Sequence, residues 1–230
     1  MNSETVSVAP TPDIAFVRQA IVTRSHALWG SEVRVVGAPV DSAYSEALAH
    51  IRPRNKTFKT ASMAVSHKFL RLPQSTLMND AALNDIIRVS QALEKQQQTL
   101  TLSLDNALDT LPGPVERRAM VRQLYKLKDQ SGIKLAYNNY RLDTKPADLL
   151  IGLALYDFIK MPFPDSALRL SLNTRSGLFD CLYDRMLELI NTTRVCFIAD
   201  HVEFSDSAML AKNLPFEYFQ GGYYSPADRL

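Results

Sequence analysis

Residues 132–163, GIKLAYNNYRLDTKPADLLIGLALYDFIKMPF, decide the fold class of this chain. An apolar run, KLAY, ends in two adjacent Asn. A longer apolar segment follows, then a second strand-like run, YDFIKM. Strand, connection and strand within about thirty residues is the βαβ spacing of a parallel sheet. Working outward, further short apolar runs predict strands at 16–22, 32–36, 61–65, 100–104, 194–199 and 217–220, besides 133–137 and 156–161. Several are apolar almost throughout, as strands covered on both faces are.

Amphipathic segments separate them. Residues 80–97 carry Leu83, Ile86, Ile87, Val89 and Leu93 on one broad face, with Asn79 as N-cap. Residues 114–130 open on Gly-Pro and close before Gly132. Further helices are predicted at 177–192 and 205–213. Eight strands alternating with helices in 230 residues fit a (β/α)8 barrel better than an open sheet. From Gly37 to Lys59 only a short helix at 43–50 is legible, so a truncated flank is expected there. Residues 1–13 are polar, with two Pro and neither a basic nor an apolar leader region, and read as a flexible extension before a single domain at 14–230.

Composition narrows the function. Twenty-six basic and 24 acidic residues give a net charge of +2, too balanced to name nucleic acid as the main partner. No stretch approaches the roughly 18 apolar residues of a membrane span. No Gly-rich dinucleotide or Walker loop is present. Cys181 and Cys196 have no metal spacing and read as buried free thiols of a reducing cytoplasm.

In a (β/α)8 barrel the chemistry sits at the C-terminal strand ends. Read in order, these ends give Glu32, Ala64, Leu102 to Asp105, Asn138-Asn139, Lys160, Asp200 to Glu203, and Gln220. That order resembles the EAL-domain family of cyclic-di-GMP phosphodiesterases. The closing Gln220-Gly-Gly-Tyr-Tyr-Ser-Pro226 resembles the family's Gln-Gly-aromatic-x-Ser-x-Pro most closely. The run VCFIADHVEF resembles its Ile-Ala-Glu-Gly-Val-Glu strand, and Glu32-Val-Arg stands where Glu-Ala-Leu would. The resemblance implies a TIM-like barrel of EAL type and a site where two divalent cations, held by carboxylates and an Asn, activate water beside a Lys.

Here the pattern departs from the family. Glu32, Lys160, Glu203 and Gln220 are kept. The strand Asn becomes Ala64, Leu102 replaces the leading Glu of the next motif, Asp-Asp becomes Asn138-Asn139, and Asp200 shortens a Glu. An amide keeps the shape of a carboxylate but not the charge that holds a divalent cation. The expectation is therefore an inactive domain with no catalytic residues, no metal and no cofactor. It would act in the bacterial cytoplasm through a protein partner, a transcriptional or signalling regulator. The alternative is a cyclic-di-GMP receptor without hydrolysis, for which only Arg34, Arg141 and Lys160 offer phosphate donors, and after it a residual phosphodiesterase.

Overall fold

The computed structural model describes residues 14–37, 41–52, 66–105, 113–141 and 154–230. Eight strands close into a barrel: β1 (Ala15–Thr23), β2 (Leu28–Val36), β3 (His67–Pro73), β4 (Thr99–Asp105), β5 (Lys134–Tyr137), β6 (Phe158–Pro162), β7 (Cys196–Asp200) and β8 (Phe216–Phe219). Strands β2 to β8 run parallel, each paired with the next. Strand β1 is antiparallel to both its neighbours, β2 and β8, and closes the ring between them. The tight connection of residues 24–27 forces this, because a short loop can only join antiparallel strands. A two-residue strand, β9 (Asp228–Arg229), pairs with the outside run of β1.

The expected strand at 61–65 lies outside the described residues, and the third barrel strand is His67–Pro73 instead. Six helices are described: α1 (Asp41–Ile51), α2 (Asp80–Glu94), α3 (Pro114–Ser131), α4 (Asp165–Thr174), α5 (Leu178–Thr193) and α6 (Ser205–Ala211). Helix α1 is the short helix expected in the 37–59 flank. It buries Ala43, Tyr44, Ala47, Leu48 and Ile51, so the wall beneath it is covered. Helix α4 was not anticipated, because its sequence DSALRLSLNT leaves Leu170 and Leu172 exposed and shows no clean stripe. Asn79 caps α2 by accepting from the Ala81 and Ala82 amides, and Gly132 ends α3 in the left-handed region at φ 61°.

Strand alternation divides the side chains between the helical shell and the barrel interior. Leu100, Leu102 and Leu104 of β4 join the outer core with Leu83, Ile86, Leu124 and Leu127. Thr101 and Ser103 face inward and are fully buried. Inside, Ile21, Phe69, Ala136, Phe158 and Ile198 form an apolar plug contributed by five strands. Trp29 closes the base, stacked 3.6 Å from Tyr218 and 4.2 Å from His67 between ring centroids. Cys196 lies half-buried near this base; burial and its contact with Glu217 push its thiol up to about 12. Cys181 is exposed, contrary to the expectation of two buried thiols. Toward the C-terminal strand ends the interior carries the buried charges of Glu32, Lys160 and Asp200, and these mark the site.

Candidate functional site at the barrel mouth

Glu32, Ser103, Lys160 and Gln220 follow the apolar plug on β2, β4, β6 and the end of β8. Alternate strands supply such a tier in a closed barrel. Lys160 Nζ donates to Glu32 Oε2 at 2.6 Å, and Gln220 Nε2 donates to the same oxygen at 3.2 Å. Lys160 is 0 % and Glu32 1 % exposed, so neither charge is hydrated from outside the barrel. Asp200, also buried, lies 3.6 Å from Lys160 Nζ and accepts from the His201 amide at 2.9 Å. Burial alone would raise its carboxyl, but Lys160, His201 and its amide, and Arg71 outweigh this and hold it below the usual value. One ammonium thus serves two carboxylates.

Nearer the opening stands a residue that the sequence reading missed. Arg71 of β3 forks onto Asp105 of β4, Nε to Oδ2 at 2.9 Å and Nη2 to Oδ1 at 3.0 Å. Burial works against its charge, yet the hydrogen bond and charge of Asp105, with Glu32 and Asp200, hold the guanidinium above its ordinary value. Asn138 and Asn139 turn their amide nitrogens toward Asp105 Oδ1, at 3.5 Å and 3.2 Å. The double Asn is therefore more than a pair of lost carboxylates. Its amides donate to Asp105, which an Asp at either position could not do when ionised. The one signal for Arg71 was its period-2 spacing from Phe69, legible only once β3 is placed correctly.

The other expected residues distribute unevenly. Leu102 does not face the mouth: it is buried in the outer core, and Ser103 and Asp105 take the inward positions of β4. The register error arose because TLTLSLD is buried on both faces, so periodicity alone could not choose a side. Ala64 lies outside the described residues. Arg34 is half-buried, and its Nε has no hydrogen-bond partner among them. It does not pair with Glu32, which is held by Lys160 and Gln220. Arg141 is exposed and lines an apolar groove of about 500 Å³ with Tyr140, Met161, Phe163, Leu178 and Leu182. Glu203 is exposed and lies against Gly222.

The carboxylates at the mouth among the described residues are engaged by the protein's own cations. Glu32 is tied to Lys160, Asp200 faces the same ammonium, and Asp105 is filled by Arg71. Within the described residues, Lys160 and Arg71 stand among Glu32, Asp105 and Asp200, and the amides of Asn138 and Asn139 add no charge. Among the described residues, no group of three or more His, Cys, Asp or Glu side chains is spaced to hold a metal ion.

Comparisons with known proteins place this architecture. No family model matches the sequence, and no curated protein matches it. Solved structures do. The EAL enzyme Bd1971 in its cGMP-bound form superposes over 93% of this chain at 12% identity and a TM-score of 0.65; this chain spans 62% of its length. Bacillus subtilis YkuI, a protein with an EAL domain in complex with substrate c-di-GMP and calcium, gives 16% identity and a TM-score of 0.66, over 94% of this chain and 56% of its own. The EAL-like domain protein YdiV gives 14% identity and a TM-score of 0.62, over 94% and 92%. The chain has an EAL-type, TIM-like barrel fold. No helix among the described residues is long and apolar enough to cross a membrane.

Proposed function

We propose that this barrel is a catalytically inactive EAL-like domain of bacterial cyclic-di-GMP signalling that regulates by binding a protein partner. The observation that carries the reading is the internal neutralisation of the mouth. Lys160 sits 2.6 Å from Glu32, and Arg71 fills Asp105. Hydrolysis by a pair of divalent cations needs free carboxylates to hold them and to activate water. Here the carboxylates are engaged by the protein's own cations, and the double Asn adds only neutral groups. In this reading the domain works in the cytoplasm, and its regulated partner is a transcriptional or signalling protein. Phe204 and Met209 of the α6 region are 68% and 64% exposed, a supply of apolar anchors for such a contact.

The test is an incubation of purified protein with cyclic-di-GMP and Mg²⁺ or Mn²⁺, with products separated chromatographically. No turnover above a buffer control is expected. Cation-dependent turnover that disappears in Glu32→Ala sinks the reading and revives a residual phosphodiesterase.

A second reading, a cyclic-di-GMP receptor, is favoured by one observation: the Nε of half-buried Arg34, near the end of β2, has no partner among the described residues. Lys160 is already shared between Glu32 and Asp200. Calorimetric titration with cyclic-di-GMP discriminates, with micromolar binding lost in Arg34→Met as the receptor's signature.

A further inference from the structure

Asp105 receives four donors at once. Arg71 supplies two, at 2.9 Å and 3.0 Å, and the amides of Asn139 and Asn138 supply the others, at 3.2 Å and 3.5 Å. A guanidinium fork flanked by side-chain amides is a donor array suited to an oxyanion, since both oxygens of the anion are engaged in one plane. Strand backbone and burial hold it in place. Arg71 lies within β3, and Asn138, 5% exposed, directly follows β5, where its backbone amide donates to the Leu104 carbonyl. Asn139 is set in the left-handed region at φ 56°, a conformation Asn tolerates. The array is also reachable, because the Arg71 and Asp105 side chains keep 19% and 26% of their surface open to solvent.

We propose that Arg71, Asn138 and Asn139 form an oxyanion cradle at the barrel mouth, that Asp105 is its built-in occupant, and that phosphate-class ligands enter by displacing Asp105. At this one point of the mouth, donors converge on an anion where carboxylates would converge on a cation. An intramolecular occupant acts at an effective concentration of roughly millimolar or above, so it masks external ligands of weaker affinity. The contact is autoinhibitory, and its release depends on what draws Asp105 away.

This inference rests on the reading that no divalent cation occupies the mouth, and the experiment is arranged so that the two fail separately. Wild type, Asp105→Ala and Arg71→Met/Asp105→Ala are titrated in EDTA with inorganic phosphate, followed by calorimetry and thermal shift. Phosphate should bind Asp105→Ala at least tenfold more tightly than wild type, and the gain should vanish in the double variant. Acetate, run in parallel, should bind more weakly than phosphate; tighter acetate overturns the phosphate assignment. A folded Asp105→Ala that gains no affinity overturns the cradle, as does a gain that survives loss of Arg71. If Asp105→Ala does not fold, Asp105→Asn keeps the side-chain shape without the charge and must show a gain in the same direction. Cation-dependent hydrolysis would sink the preceding reading, whereas phosphate binding in EDTA reports on the cradle alone.

Discussion

Lys160 Nζ and Glu32 Oε2 meet at 2.6 Å across the barrel interior, although 128 positions separate the two residues in sequence. Both side chains are almost wholly buried, and Glu32 Oε1 has no hydrogen-bond partner among the described residues. Breaking such a pair leaves an uncompensated charge in a low-dielectric interior, which costs far more than the intact pair contributes. Lys160→Met should therefore destabilise the fold by about 3–5 kcal/mol. Glu32→Gln/Lys160→Met should recover much of that loss, because it also removes one of the stranded carboxylates. Urea unfolding of wild type, both single variants and the double variant measures the coupling directly.

Asp200 sets an acid limit. Its carboxyl is held below the usual value because Lys160, His201 and Arg71 outweigh burial. A depressed folded value means that the unfolded chain binds the proton first as pH falls. The contribution is thus fully present above about pH 5, since an unfolded Asp titrates near 3.9, and is lost as pH falls through the lower folded value. Stability measured from pH 7 to pH 2 should show a steeper acid decline in wild type than in Asp200→Asn. Parallel curves would remove Asp200 from the account.

Restoring the acidic pair should damage the protein before it helps chemistry. Asn138→Asp places a buried carboxylate beside Asp105 and replaces a donor by an acceptor. A loss of about 2 kcal/mol or more is expected at pH 7, easing as pH falls toward about 4, because burial and a neighbouring carboxylate hold the introduced carboxyl above its ordinary value. Asn139→Asp, at an exposed position, should lose about 1 kcal/mol. Neither should confer Mn²⁺-dependent hydrolysis of cyclic-di-GMP while Arg71 remains. Chemical denaturation at three pH values, with a hydrolysis assay at pH 8, checks both statements.

Gly221 has a φ of 149°, and a methyl group on it would run into the Val202 backbone nitrogen and oxygen. Backbone cannot move aside as a flexible side chain can. Gly221→Ala should cost about 2 kcal/mol or more and loosen the turn where Val202 N donates to Gln220 O and Tyr223 N donates to Val202 O. Amide hydrogen exchange at Val202 and Tyr223 should accelerate in that variant; unchanged protection would count against the close-approach argument.

Much of the fold was written in local chemistry. The strand runs at 100–104, 133–137 and 194–199 fell within about two residues of β4, β5 and β7, and the Asn79 and Gly132 caps stood where propensity placed them. The conspicuous residues of the site, Asn138, Asn139, Lys160 and Asp200, were legible because each is polar at or beside an apolar strand. These features depend on neighbours a few positions away, so sequence by itself determined them.

What only the tertiary structure decided were relations between distant segments. That β1 closes the ring by pairing with β8, nearly two hundred residues on, is such a relation. In β4, buried on both faces, only closure turned Ser103 inward and Leu102 outward. Arg71 looks ordinary within HKFLRLP, since its meaning comes from Asp105, 34 residues on. The double Asn changed from a loss to a role for the same reason: an amide's worth depends on which carboxylate the fold sets opposite it, and no local pattern carries that information.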